Sequence, residues 1–366
     1  MRFRAAVLHE VGAPLAIETV EAGPLRDDDV LVRVRAASLC HTDLEVIQGA
    51  LAYPLPIVLG HEAAGTVEEV GPGVTSLKPG DRVILSWNPH CGGCFYCAQD
   101  QPILCETYVK LGPQAVPFDG TPRLSLAGTP VHHMFYLASF AEYVVVPAQS
   151  AVKVSSDIPF DRACLIGCGV MTGVGAALNI ARPAAGASVV VIGCGGVGLS
   201  AVQGARLAGA RQVIAIDPAP AKLELAGTLG ATDGVDPKAE DAIAAVKRLT
   251  AGRGADVMIE AAGNEAAFRL SAEAVRPGGQ VVWLGKVNVG QDVAFRWGSL
   301  MGEKRIVRSS YGGARPARDF PLLARMYLDG RLKLDPYVSR RIRLDEINDG
   351  FAALKRGEVI RSVVTF

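Results

Sequence analysis

The 366 residues carry 37 Lys+Arg against 37 Asp+Glu, a zero formal charge that gives no support to a polyanionic or membrane-surface partner. At 49% hydrophobic and 20% charged the chain is too apolar for a disordered segment, and it is long enough for two cores. No stretch approaches the roughly 20 uninterrupted apolar residues of a membrane span, and the opening "MRFRAAVLHEVGAPL" lacks the apolar run and cleavage site of a secretory signal. The expectation is a cytoplasmic protein, in which close cysteines suggest metal ligation before disulfides.

In chain order, residues 1–150 are short β-like runs broken by Gly and Pro, such as "DVLVRVRAAS", "AGTVEEVG" and "DRVILSW". They predict an irregular, mostly β, barrel-like domain. Two short pieces in this half, "LCHTD" at 39–43 and "GHE" at 60–62, carry candidate metal ligands, as does "GCG" at 167–169. Two thiolates and one imidazole with a fourth position open make a catalytic zinc arrangement, and Cys40, His61 and Cys168 would supply it. Taken alone, a buried Cys is equally a small hydrophobe and a lone His a structural residue.

Residues 91–105 read "CGGCFYCAQDQPILC", placing Cys91, Cys94, Cys97 and Cys105 in the spacing C-x2-C-x2-C-x7-C. Disulfides, an iron–sulfur nest, a nucleic-acid-binding zinc ribbon and a structural zinc lobe all use such clusters. A ribbon calls for basic residues among aromatics, and Trp87 to Glu106 contains no Lys or Arg. The bacterial ferredoxin run is C-x2-C-x2-C-x3-C-P, which this spacing does not match.

From about Pro159 buried-strand runs alternate with helix-length segments: "ASVVVIG", "QVIAID", "ADVMIEAAG", "GGQVVWLG". That alternation predicts a doubly wound parallel sheet. The run Ser188–Ile192 enters Gly193-Cys194-Gly195-Gly196-Val197-Gly198, which satisfies G-x-G-x-x-G, and the helical "VGLSAVQGARLAG" leaves it. Gly193 suits the tight turn, Gly195 a close approach to a pyrophosphate, and Gly198 helix–strand packing. Asp217, ending the next strand, can accept bonds from ribose hydroxyls and repel a 2′-phosphate, favouring NAD over NADP. The competing reading is a glycine-rich turn that binds nothing, with Asp217 a turn residue before Pro218. After Arg308 the alternation fades, so the expected domains are 1–160 with 308–366, carrying the cysteine lobe at about 87–106, and 161–307.

"GHEAAGTVEEVGPGV" (60–74) fits G-H-E-x2-G-x5-G-x2-V, and it stands in order with "CHTD", the four-cysteine lobe, "GCGVMTG" and "GCGGVG". On these motifs the chain resembles the zinc-dependent medium-chain alcohol dehydrogenases, over its whole length and most closely their class-III-like branch. The resemblance implies a Rossmann domain beside a GroES-like catalytic domain. It also implies two Zn2+ per chain, a catalytic one on Cys40, His61 and Cys168 and a structural one on the four lobe cysteines. Asp43 would orient the ligand histidine, Glu62 would lie near the metal or form a salt bridge, and Thr42 would bond the substrate oxygen. His41 and Arg361 would touch the cofactor pyrophosphate, with Asp217 and Lys222 beside the adenosine ribose. Leu51, Trp87, Leu104, Met134 and Phe135 would line the pocket, although Met134 and Phe135 are equally readable as core.

The implied activity is reversible hydride transfer between a primary aliphatic or aromatic alcohol, or its aldehyde, and NAD. Two departures from the family pattern stand out. Glu45 occupies the place where many relatives end the proton relay in histidine. Val109 occupies the place of the arginine found in relatives that oxidise S-(hydroxymethyl)glutathione, which makes that activity the alternative. A non-catalytic zinc- and NAD-binding protein is a third reading, and it would lack the Cys40, His61 and Cys168 set. No nucleic acid or membrane partner is expected. The insert Glu106–Val131 resembles the dimeric branch, implying a homodimer with a tetramer as the other option. Cys164 and Cys194 have no assigned role beyond packing.

Overall fold

The longest strand, Asp29–Ser38, is buried along nearly all its length because it is paired on both edges. Glu62–Val70 runs antiparallel along one side, while Tyr143–Pro147 and the terminal strand Arg361–Thr365 share the other. Its alternate residues Val30, Val32 and Val34 enter a core with Val67, Val83, Val144, Val146, Phe140 and Phe351, as period-2 side-chain alternation requires. Beside this sheet, Arg2–Leu8, Ala16–Ala22, Leu124–Leu126, Thr129–His133 and Ile57–Val58 close into a small barrel. The computed structural model describes residues 1–366. They divide into two units, Met1–Cys168 with Arg315–Phe366, and Gly169–Ala314. Those divisions fall several residues later than the expected 160 and 308, the first of them inside a helical run.

In the second unit six parallel strands lie in the order Asp233–Val235, Gln212–Ile216, Ser188–Ile192, Ala255–Glu260, Val275–Trp283, Arg305–Arg308. This is the doubly wound order, in which the chain switches direction beside Ser188–Ile192. Val189 and Val191 pack into one apolar cluster and Val190 and Ile192 into another, one on each face of the sheet. A strand covered on both faces reads as an unbroken apolar run, which is why "SVVVI" shows no alternation.

The helical run Phe160–Ala181 spans 22 residues and is long and apolar enough, by length and composition, to cross a membrane, but most of it is buried inside the protein. Such burial is that of a core helix, and Asp161, Arg162 and Asn179 interrupt the apolar stretch.

A charged network adjoins the barrel. Arg123 pairs with Asp29 at 2.6 Å and Asp119 at 2.9 Å, and its backbone N–H donates to His133 Nε2 at 3.0 Å. Burial, reinforced by the Arg123 charge, holds the His133 ring down to about 3 from its ordinary 6.5. Between those two values the unfolded chain binds a proton that the folded chain refuses. The contribution is therefore complete above pH 6.5 and is lost as pH falls toward 3. His133→Gln, which keeps an acceptor for Arg123, should remove about 1.4 kcal/mol per pH unit of slope from the acid limb of stability. Urea unfolding midpoints measured across that window, variant against wild type, check it.

Candidate active site and metal centres

Three segments distant in sequence bring donors together: Cys40, His61 with Glu62, and Cys168 present ligand atoms that all lie within 4.8 Å of one another. Cys40 precedes the helix His41–Ile47, and Asp43 in its first turn accepts the Cys40 N–H at 3.1 Å. Gly60 sits at φ 95°, where a Cβ would fall 2.7 Å from the Phe140 nitrogen, so only glycine lets the chain turn His61 inward. Cys168 lies in a π-helical stretch, Ile166–Val170, an irregularity that recurs at functional sites. The other oxygen of Asp43 accepts Gly60 N–H and His61 Nδ1–H, both at 3.0 Å. With Nδ1 committed, Nε2 is the nitrogen left for a metal.

The hydrogen bond from Cys168 holds the Cys40 thiol well below the usual thiol range, and the same shared proton raises Cys168. Burial opposes a charge on His61, but Asp43 and Cys40 together raise it well above the ordinary imidazole value. Glu62 is pushed up to about 7 by burial, against the pull of Arg361, whose guanidinium lies 3.3 Å away. Arg361 is itself only 5% exposed, so it is a buried partner of Glu62 rather than a surface charge. Two thiols and an imidazole form a soft to borderline donor set that fits zinc.

A second set, Cys91, Cys94, Cys97 and Cys105, also holds its sulfurs within 4.8 Å. Backbone N–H groups of Cys91 and Glu106 point at Cys105 and Cys94 sulfurs at 3.3 and 3.5 Å, the pattern that stabilises thiolates. The short helices Phe95–Ala98, Pro102–Leu104 and Glu106–Leu111 bury no residue of their own. Arg315 clamps the lobe through both oxygens of Asp100, Nε donating to Oδ1 at 3.0 Å and Nη2 to Oδ2 at 2.6 Å. All eight cysteines are free of disulfides.

In the second unit Gly193 turns at φ 88°, and a Cβ on Gly198 would fall 1.7 Å from the Gly193 oxygen. Nothing lies within 4 Å of a Cβ placed on Gly195, the residue that caps the helix Gly196–Leu207. That open step before a helix N-terminus suits phosphate oxygens. Asp217 accepts Cys194 N–H at 2.8 Å and Ala219 N–H at 2.9 Å, one on each oxygen, which leaves a lone pair on each for a ribose. Val197 and Lys222 are half-buried on either side of this turn.

Residues 26–156 match the alcohol dehydrogenase GroES-like domain, and residues 196–328 match the zinc-binding dehydrogenase family. The chain is 39% identical to S-(hydroxymethyl)glutathione dehydrogenase of Paracoccus denitrificans and 40% identical to alcohol dehydrogenase class-3 of Cereibacter sphaeroides, with all of each chain covered. The chain belongs to the zinc-dependent medium-chain alcohol dehydrogenases. Benzyl alcohol dehydrogenase of Acinetobacter calcoaceticus superposes with a TM-score of 0.95 at 32% identity, covering 100% of this chain and 99% of that one.

Beside His61 this dehydrogenase places a group of rings. Phe135 lies 5.4 Å from His61, 5.1 Å from Trp87 and 6.0 Å from Tyr53, and Trp87 lies 6.1 Å from Tyr108. Phe135, Tyr136 and Ala138 adopt φ of 50°, 66° and 56°, costly for non-glycine residues and typical of ligand-contacting segments. Leu51 packs at the core margin, Leu104 is exposed, and Met134 is wholly buried among Leu137 and Phe140. Thr42 is half-buried and His41 exposed on the helix that follows Cys40. Tyr53 and Tyr108 escaped the sequence reading because no spacing or motif marks them. Asp43→Ala should orphan three donors at once. Zinc retention against a chelator should then fall about 10–100-fold at one site per chain while the lobe keeps its metal, as a metal-release titration would register.

Proposed function

We propose that this zinc alcohol dehydrogenase oxidises primary alcohols with an apolar, aromatic or aliphatic body to aldehydes, reversibly, using NAD. The observation that carries the reading is the convergence of Cys40, His61 and Cys168 within 4.8 Å, with His61 oriented by Asp43. The unit Met1–Cys168 with Arg315–Phe366 is the GroES-like catalytic domain and Gly169–Ala314 the Rossmann domain. Cys40, His61 and Cys168 would hold the catalytic zinc, and Cys91, Cys94, Cys97 and Cys105 the structural one. When bound, zinc supplies the Lewis acidity that lowers an alcohol's pKa and polarises a carbonyl, and the nicotinamide supplies the hydride acceptor.

Thr42 holds the substrate hydroxyl through its own Oγ1 and takes the departing proton onward; Glu45, one turn along the same helix, is not required for that step. Gly193, Gly195, Gly196, Val197 and Gly198 form the turn that would receive the pyrophosphate, with Asp217 and Lys222 placed to hold the ribose; the resemblance adds His41 and Arg361. Leu51, Trp87, Leu104, Met134 and Phe135 are the pocket positions carried over by resemblance. Tyr53 and Tyr108 extend the ring cluster around Trp87 and Phe135. Oxidation of a glutathione adduct is the second reading, favoured by the Paracoccus relative. Against it, the exposed Val109 offers no charge to a carboxylate. A homodimer is supported by the exposed edge strand Arg305–Arg308 with Trp297 at 76% and Met301 at 57% exposure, an unpaired edge of the kind that recruits a second copy. The reduced thiols support a cytoplasmic location.

The deciding experiment follows NADH formation across aliphatic and benzylic alcohols, with and without glutathione. Turnover without glutathione is expected, and strict dependence on it overturns the choice. NADP+ should be the poorer cofactor because of Asp217, and a preference for NADP+ would reverse that assignment. Thr42→Val should lower kcat about 10²–10⁴-fold while Thr42→Ser stays active; near-normal kcat in the valine variant sinks the relay. Metal analysis should find about two zincs per chain. Cys40→Ser should lose one of them together with activity, and Cys94→Ser should lose the other with a fall in thermal midpoint.

A further inference from the structure

Glu260, the last residue of the strand Ala255–Glu260, is fully buried and takes no part in the chemistry above. Its Oε1 accepts the N–H groups of Ala262 and Gly263 at 2.8 and 2.6 Å, while its Oε2 is buried against Gly285. Its backbone oxygen accepts Leu284 N–H at 2.8 Å and Gly285 N–H at 3.1 Å. The loops at the carboxyl ends of two adjoining strands are therefore tied to one residue.

Those loops interlock with the glycine turn. A Cβ on Gly285 would fall 2.4 Å from Glu260 Oε2 and 2.4 Å from the Gly263 nitrogen, and one on Gly193 would fall 2.8 Å from the Ala262 nitrogen. The segment 261–263 is thus clasped between the first glycine of G-x-G-x-x-G and the loop at 284–286. In a doubly wound sheet the ligand lies outside these carboxyl ends at the switch point, here between Ser188–Ile192 and Ala255–Glu260. A fully buried carboxylate calls for an explanation, and the loops it braces supply one.

We propose that Glu260 is a positioning residue for the dinucleotide: its carboxylate sets the height of the 261–263 and 284–286 loops against the Gly193 turn, and so the floor on which the cofactor rests. The inference rests on the reading that residues 193–198 hold the dinucleotide. The test titrates NADH by fluorescence and measures KM for NAD+ and kcat in the zinc-loaded enzyme for wild type, Glu260→Ala, Glu260→Asp, Glu260→Gln and Thr250→Ala. Thr250 is buried in the same unit and its hydroxyl accepts the Gly254 N–H at 3.0 Å just before the amino end of the strand Ala255–Glu260, the end opposite these loops, so its variant reports destabilisation alone.

Glu260→Ala should raise both the NADH Kd and the KM for NAD+ about tenfold, the size of one lost charge-assisted hydrogen bond, with kcat within about twofold. Glu260→Gln keeps an acceptor oxygen and should recover most of that affinity. Glu260→Asp keeps the charge but withdraws its reach, so it should show the loss even where the alanine variant does not fold. Thr250→Ala should lower the thermal midpoint and leave Kd unchanged. Wild-type affinity in the alanine or aspartate variant of Glu260, or an equal loss in Thr250→Ala, overturns the proposal alone. A wild type that binds no dinucleotide overturns the underlying reading, and this inference with it.

Discussion

One carboxylate organises the catalytic unit. Asp43 accepts three hydrogen bonds, from the Cys40 and Gly60 backbones and the His61 ring, and so locks two of the three donor segments to each other. A buried carboxylate is tolerated only when its lone pairs are taken up, and here the groups that take them up are the ones that must be aimed. The short helix begins where it does because Asp43 sits in its first turn, and the sharp turn at Gly60 ends in the same hydrogen-bond set. Orientation of the imidazole, placement of one thiol and entry into the strand Glu62–Val70 are consequences of a single side chain.

The two cysteine-containing sets divide their work by burial. Cys40, His61 and Glu62 are buried in a finished core, with Arg361 balancing Glu62, so their geometry exists because the sheet around them is complete. The lobe cysteines lie on or between short helices that bury no residue of their own, with the Arg315–Asp100 pair among the contacts that hold the lobe. An exposed ion pair contributes about 1 kcal/mol or less, too little to order a loop of this length. Four thiols closed around one metal stabilise such a lobe directly.

The second unit uses carboxylates in the same way. Asp217 anchors the glycine turn through Cys194 N–H and its own following turn through Ala219 N–H, while Glu260 anchors the neighbouring loops. Loops at strand ends carry backbone N–H groups with no ladder partner, and an acceptor side chain at the last strand residue satisfies them. These strand-end acids tie together the loops on which, in the proposed reading, a dinucleotide would rest.

The strand content, the alternation of strand and helix that marks a doubly wound sheet, the glycine turn and the cysteine lobe were legible in the linear chain because each is a local matter. Side-chain period, glycine spacing and the close spacing of four thiols act within a few to a score of residues. The catalytic set was legible only through resemblance, since Cys40, His61 and Cys168 share no spacing that chemistry alone would recognise. Tertiary structure decided what local pattern cannot encode. It put Arg361 against Glu62 across 299 residues, gathered Tyr53 and Tyr108 beside Trp87 and Phe135, sank Met134 into the core, and moved the unit boundaries into a helical run and beyond the last parallel strand. These outcomes depend on which side chains meet after the sheets close, when burial fixes which polar groups need one another and which apolar ones are left facing the site.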